Sequence, residues 1–230
     1  WLRKQLASTM EVPLENVHCI YMEGSGCYGR NGHEDAAGDA ALLSRVVGGR
    51  PVRVQWMRAD EHGWDPKSPP TLTDLRAGID DQGRVIAWES EFFLPEGEPA
   101  TLPFIAAMHA GLPSPPITDF PGVNYMTANS EIPYTFPNIK TLVHLLAEEP
   151  LRWSWVRSPG RMQNTFANEC FVDELAALVG ADPLDFRLSH LNDPRGAELL
   201  VRLATLAKWE KRPSPRKNPR NDAVLAGRGI

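Results

Sequence analysis

The feature that most limits how this chain can fold is the stretch GSGCYGRNGHEDAA at residues 24–37. It sets Gly24, Gly26 and Gly29 between an alternating apolar run and an alanine-rich run that opens with Glu34 and Asp35. Glycines let the backbone enter left-handed conformations and come close to a neighbour. Carboxylates just after them suit the first turn of a helix, where they face the positive end of its dipole. The stretch reads as a strand over 17–22, a tight loop, and then a helix. The expected buried stripe of that helix is Ala36, Ala37, Ala40, Leu43 and Val47, with Gly48-Gly49 as its stop.

The spacing G-x-G-x-x-G is that of a dinucleotide-binding turn, which makes two further demands. The third glycine has to lie in the first turn of the helix, and an acid has to follow about twenty residues on to hold the ribose. Neither is met. Asn31-Gly32-His33 separate Gly29 from the helix start, and no acid occurs from Val46 to Gly49. What remains is a loop able to offer backbone N–H groups to a polar or anionic ligand at a helix N-terminus, or a crossover with no ligand. The loop alone leaves both open.

Further along, PVRVQWM (51–57) alternates as a strand. Residues 72–79 and 85–93 form two more, joined by Asp80-Asp81-Gln82-Gly83 as a hairpin turn. Prolines at 95, 99, 103, 113, 115, 116 and 121 mark a loop-rich excursion, after which strand-like pieces return at 124–128 and 139–146. Residues 163–179 form the clearest helix, with Ala167, Cys170, Phe171, Leu175 and Leu178 at helical spacing and Glu169 and Asp173 one turn apart. Gly180 closes it. Asp182-Pro183 opens another helix with an N-cap acid and proline at the first helical position, and 196–208 make a last one. No internal repeat and no regular βαβ alternation occur, so the class is α+β, mixed sheets with packed helices. The organisation reads as a helix–strand–glycine loop–helix–strand and hairpin unit (1–94) and a proline-rich excursion (95–122). Strands followed by a helical segment come next (123–210), and then a basic linker (211–230).

Composition narrows the functional classes. The 230 residues carry a net charge of -5, well mixed until the basic KWEKRPSPRKNPR stretch, so nothing global points to nucleic acid. No apolar run is long enough for a transmembrane helix. Cys19, Cys27 and Cys170 are odd in number and far apart, without a C-x-x-C element, which argues against a disulfide framework or a protein-held cluster. They read as reduced, mostly buried thiols. The chain opens inside a helix-like run at Trp1 and stops at a strand-like entry, Gly227 to Ile230. That reads as an internal piece of a longer protein.

A second element stands beside the glycine loop. Trp155-Val156-Arg157-Ser158-Pro159-Gly160-Arg161 leads straight into the long helix. Two arginines at a helix start oppose its dipole, and they are easier to understand facing an anion. The bland reading is a pair of solvated surface arginines.

Together these motifs resemble a known family. GSGCYG, helix, and GGRPVRVQWMRADEH are similar to the family pattern GGGFGG, helix, GRPV, strand, R-x-x-E. LRWSWVRSPGRMQNTFANECFVDELAALVGADPLDFRLSHL is similar to its R-G-x-G-x-x-Q, E-x-x-x-D-E-L-A and D-P-x-x-F-R-L-x-N-L region. The family is that of xanthine dehydrogenase and aldehyde oxidase, the molybdenum hydroxylases. The resemblance is strongest to the bacterial branch of isoquinoline 1-oxidoreductase β and nicotinate dehydrogenase large subunits.

The resemblance implies a fragment of a molybdopterin-binding large subunit. It implies a molybdenum cofactor held through its pterin dithiolene, and iron–sulfur clusters on a partner subunit or domain. The implied substrate is an aldehyde or N-heterocycle, hydroxylated with oxygen from water. Cofactor-binding positions carried over are Gly26, Cys27, Tyr28, Gly29 and Arg157. Cys27-Tyr28 stands where the family has Phe-Gly. The family's glutamate after the loop has no fixed match, Asn31 standing closest. Its base glutamate lies C-terminal to the matching region and its cofactor-contacting glutamine N-terminal to it. No residue is therefore assigned as catalytic and none as a metal ligand, and the isolated chain is expected to be inactive. Glu61, His62 and Glu169 have the chemistry of acid–base groups, but each has an ordinary account as an ion-pair, capping or surface residue. A dinucleotide-dependent oxidoreductase domain and a non-catalytic subunit-assembly domain remain the alternatives. Bacterial cytoplasm and the periplasmic side of the inner membrane both stay open as compartments.

Overall fold

In the computed structural model, which describes residues 1–24, 26, 34–96, 102–115, 130–147, 151–154, 157–158, 160–216, 224 and 227–230, the acid–glycine hairpin forms as its sequence dictates. Strand β1 (Leu72–Ile79) pairs antiparallel with β2 (Val85–Pro95), Leu72 opposite Phe93 and Arg76 opposite Glu89. Gly83 takes φ 78°, and the Asp80 side chain accepts from the backbone N of Gln82 and Arg84, both at 2.9 Å. A third strand, β3 (Asn138–Leu146), completes a three-stranded sheet in the order β1-β2-β3.

The chain divides into two units, and the hairpin belongs to the second: Leu72–Phe93, Asn129–His144 and Arg161–Ile230. Here the period-2 alternation of β2 turns Trp88, Ser90 and Phe92 inward. Trp88 stacks on Phe136 with ring centroids 5.3 Å apart, and both join Val85, Tyr134, Val172, Leu175, Ala176 and Phe186 in one core. Each large side chain buried in this way stabilises by roughly 2–3 kcal/mol. The helices are α5 (Arg161–Leu178), α6 (Pro183–His190) and α7 (Pro194–Leu206). Asp182 caps α6 as expected, accepting from Leu184 N at 2.9 Å and Asp185 N at 3.3 Å, with Pro183 inside the first turn. His190 links α6 to the sheet: its Nδ1 bonds Phe186 O at 2.8 Å, and its Nε2 accepts from Val85 N at 3.1 Å.

One expectation holds only in part on α5. Of the predicted stripe of Ala167, Cys170, Phe171, Leu175 and Leu178, Leu175 is buried and Phe171 packs against the core, its ring centroid 5.2 Å from that of Trp88. The buried residues are Asn164, Asn168, Val172, Leu175 and Ala176, while Cys170 and Leu178 are exposed. The cause is a polar tie between helices. Arg187 of α6, 2% exposed, donates to Glu169 Oε2 at 2.9 Å and to Asp173 Oδ1 at 2.6 Å. Tyr134 donates its phenol to Glu169 Oε2 at 2.8 Å. Burial, then the neighbouring Glu169 carboxylate, pushes the Tyr134 phenol well above the usual tyrosine range.

The first unit is Trp1–Thr71, Leu94–Ala128 and Leu145–Gly160. It holds α1 (Leu2–Met10), α2 (Asp35–Val46), α3 (Arg58–Trp64) and α4 (Ile105–His109). α1 lies where predicted and sends Gln5 Nε2 to Leu102 O. α2 also forms and is stopped by Gly48 and Gly49 at φ 75° and 81°, yet its buried residues are Asp35 and Gly38. Leu43 and Val47 of the expected stripe are exposed. Partners choose the face: Asp35 is held by an ion pair, and Gly38 admits the buried ring of Phe104. α4 lies within the stretch read as an irregular excursion.

The segments 17–22 and 51–57 are not strands. Ile20, Tyr21 and Met22 are exposed, and neither segment forms a strand ladder with any described residue. Alternation in sequence encodes two faces, whereas a strand also needs a ladder partner. Cys19 and Cys170, expected to be buried, are exposed free thiols.

Candidate functional site

Of the two motif elements that the sequence pairs, Gly26 and Arg157 both fall in the first unit, whereas Arg161 begins α5 in the second. Gly26 takes φ 122°, a conformation that side chains rarely adopt. A Cβ built on Gly24 would meet nothing within 4 Å, so sequence-adjacent Gly24 is not a packing glycine. Cys27, Tyr28, Gly29 and Asn31 lie outside the described residues. At the second element, Ser158 takes φ 58° and buried Gly160 takes φ 68°, a left-handed turn beside Arg157. The Arg157 side chain is exposed and has no hydrogen bond or ion pair among the described residues.

Asp35, the first residue of α2, is 2% exposed. Both of its carboxylate oxygens accept from Arg152 Nη2, at 3.1 and 2.9 Å, and Oδ1 also accepts from Ile105 N at 3.2 Å. The same guanidinium donates to Pro103 O at 3.1 Å and to Trp64 O at 3.3 Å. Arg152 is fixed through its backbone as well. Lys67 N donates to Arg152 O and Ser154 N to Lys67 O, each at 3.0 Å, forming a parallel bridge that flanks buried Trp153.

Beside this pair lies a cavity of about 510 Å³ lined by Trp64, Lys67, Ile105, Met108, Leu151 and Arg152. Its most enclosed cation, Arg152, is already committed to Asp35. Two of the acid–base candidates have side-chain ion-pair partners, Glu61 with Arg58 at 2.7 Å and Glu169 with Arg187 at 2.9 Å, whereas at His62 it is the backbone carbonyl that accepts from Lys67 Nζ, at 2.7 Å. Among the described residues no three His, Cys, Asp or Glu side chains converge as metal ligands. Sequence reasoning missed Arg152. It stands in a strand-like stretch between apolar residues, and nothing in its spacing names a partner 117 positions away.

The glycine turn at Gly26 and the turn beside exposed Arg157 belong to one unit. Residues 1–191 match the family described as "Molybdopterin cofactor-binding domain", and the chain belongs to that family. Over its whole length it is 36% identical to the B chain of nicotinate dehydrogenase from Pseudomonas putida, covering 19% of that protein. Over 84% of the chain it is 32% identical to PaoC, the molybdenum-binding component of an Escherichia coli aldehyde oxidoreductase, covering 23% of it. Over 81% it is 28% identical to the beta chain of isoquinoline 1-oxidoreductase from Brevundimonas diminuta, again covering 23%. The chain thus spans about a fifth of the length of these relatives. Among solved structures, the aldehyde oxidoreductase from Desulfovibrio gigas shares its fold over 73% of this chain and 18% of that one, with TM-score 0.53 and 20% identity. Mixed helices with a small sheet accord with the α+β class read from the sequence.

Proposed function

We propose that this chain is part of the molybdopterin-binding subunit of a molybdenum hydroxylase acting on an aldehyde or an N-heterocycle with oxygen from water. One observation carries the reading. Gly26, in a conformation natural only to glycine, and the exposed Arg157 occur in the same unit of a chain whose residues 1–191 match a molybdopterin-binding family. Such residues suit the group. A backbone without a Cβ lets a flat polar ring system approach its N–H groups, and a guanidinium with no partner among the described residues suits phosphate or pterin oxygens. When bound, the cofactor supplies the metal at which the carbon is hydroxylated and the electrons are taken up. This chain's contribution is to hold and orient the cofactor, with Gly26 and Arg157 as its contacts and Cys27, Tyr28 and Gly29 as further loop positions. The nicotinate dehydrogenase and isoquinoline 1-oxidoreductase relatives are each named as one subunit of their enzyme, which supports an assembly in which electrons leave through iron–sulfur clusters on a partner.

The test is Arg157→Ala in the full enzyme, with molybdenum measured by mass spectrometry in the purified complex. The expected result is a several-fold loss of molybdenum with the subunits still associated. Unchanged molybdenum with a broken complex would assign the region to assembly. Saturable NAD or FAD binding by the wild-type protein would assign it to a dinucleotide.

A further inference from the structure

We infer that Asp35 and Arg152 form a clasp that positions the two cofactor-facing turns relative to each other; this rests on the cofactor reading above. Asp35 follows Gly26 by nine residues, and Arg152 precedes Arg157 by five. Each turn is therefore tethered at one side to a member of the same ion pair, and both members are immobilised. Asp35 begins α2, is 2% exposed, and is satisfied by Arg152 Nη2 and Ile105 N. Arg152 has a side chain 25% exposed and is bound to Asp35, Pro103 O and Trp64 O; its carbonyl accepts from Lys67 N, and Ser154 N two residues on donates to Lys67 O.

The arrangement exceeds what starting a helix requires. A neutral serine or asparagine as the N-cap satisfies a helix start without burying a charge. Burying a carboxylate is costly unless it is paired, and a buried pair stabilises little over a well-packed apolar one. What a charged, multiply bonded pair provides is a single geometry. One guanidinium spans the start of α2, the entry to α4, the end of α3 and the strand-like stretch leading to Arg157. Of these, the α2 start and the last stretch run into the motif turns. Neither side chain is assigned contact with the cofactor, so both are positioning residues.

The experiment uses the full enzyme with its partner subunits, comparing wild type, Asp35→Asn, Arg152→Met and Arg152→Lys. The readouts are molybdenum per complex, the rate of cofactor loss on dilution, and the line shape of the molybdenum EPR signal. Asp35→Asn and Arg152→Met are expected to give soluble complexes with unchanged circular dichroism, about tenfold weaker cofactor retention, as for other outer-shell partners of metal sites, and an altered EPR line shape. Arg152→Lys keeps the charge but not the fork, and is expected to fall between them and wild type. Full retention with an unchanged line shape in all three variants overturns the inference. So does loss of soluble protein in both Asp35→Asn and Arg152→Lys, because the pair then serves the fold and not the position of the turns. A wild-type enzyme without molybdenum would instead overturn the cofactor reading itself.

Discussion

Arg187 Nε donates to Glu169 Oε2 at 2.9 Å from a side chain that is only 2% exposed. Its other arm reaches Asp173 at 2.6 Å, so α6 is fastened to α5 by one cation between two acids. Burial alone would lower the affinity of Arg187 for its proton, but the hydrogen bond to Asp173 and the charges around it more than offset this, and its pKa is raised. Arg187→Met leaves Glu169, Asp173 and the Tyr134 phenol without their cation. Because Glu169 and Asp173 are 26% and 42% exposed, water relieves part of that loss. The expected cost lies at the low end for a broken buried pair, about 3 kcal/mol. Arg187→Lys recovers only part, since an ammonium cannot bridge both acids in the planar geometry of a guanidinium. Urea unfolding measures this, and a cost below about 1 kcal/mol for Arg187→Met would contradict the assignment.

Gly38→Ala sets two effects of opposite sign against each other. Replacing a helical glycine by alanine normally stabilises by about 1 kcal/mol. Here the new Cβ would sit 2.6 Å from Phe104 Cγ and 2.8 Å from both Cδ atoms. That is the root of a ring whose residue is 1% exposed, and it cannot swing aside as a flexible chain end could. Overpacking of this kind costs about 1–3 kcal/mol, so the substitution is expected to lower Tm. Gly38→Ala together with Phe104→Leu recovers part of the loss. A rise in Tm for the single variant would show that α2 and α4 separate without cost.

These two sites show what could be read from sequence and what could not. The positions of α1, α2, α5, α6 and α7, the Asp182 cap, the Gly48-Gly49 stop and the Asp80-to-Gly83 turn were legible because each is set by residues within a few positions, whereas the short helices α3 and α4 were not read. Faces were not. The apolar spacing of α2 pointed to Leu43 and Val47, but Asp35 and Gly38 face inward because Arg152 and Phe104 lie there. The same holds in part for α5, turned toward Arg187. The 17–22 and 51–57 runs carry the alternation of strands, but alternation does not supply a pairing partner. For the candidate site, Gly26 and Arg157 were marked by motif and resemblance. Arg152, which ties their flanks together, carries no local signal.

Gly26→Ala tests the glycine turn without touching a charge. At φ 122° an alanine is strained whatever space surrounds it, at a cost of order 1–3 kcal/mol in this region. The expected outcome in the full enzyme is a lower molybdenum content with little change in global Tm, because residue 26 is exposed and lies outside the helices and the sheet. Wild-type molybdenum content in this variant would remove Gly26 from the cradle.

Asp182 makes the stability of the second unit depend on pH. Besides capping α6, its carboxylate accepts from Trp209 Nε1 at 3.1 Å and Arg212 N at 2.9 Å, and Arg228 stands 3.6 Å away. Burial pushes this carboxyl upward, but the bonds from Arg212 N, the Trp209 indole, Asp185 N and Leu184 N outweigh it, and its pKa lies below the usual aspartate value. A carboxyl depressed in the folded state favours folding wherever it is ionised. Its contribution is full above the unfolded value of about 3.9 and is lost as pH falls through the folded one. Asp182→Asn keeps an oxygen for the cap and removes the titration. The variant is expected to be less stable than wild type by about 1–2 kcal/mol at neutral pH. The gap should close as pH falls through the folded-state value, where the wild-type carboxyl also becomes neutral. Urea midpoints measured for both proteins at a series of pH values give the comparison, and parallel curves down to the acid limit would mean that the charge of Asp182 does not hold the Trp209–Arg212 segment to α6.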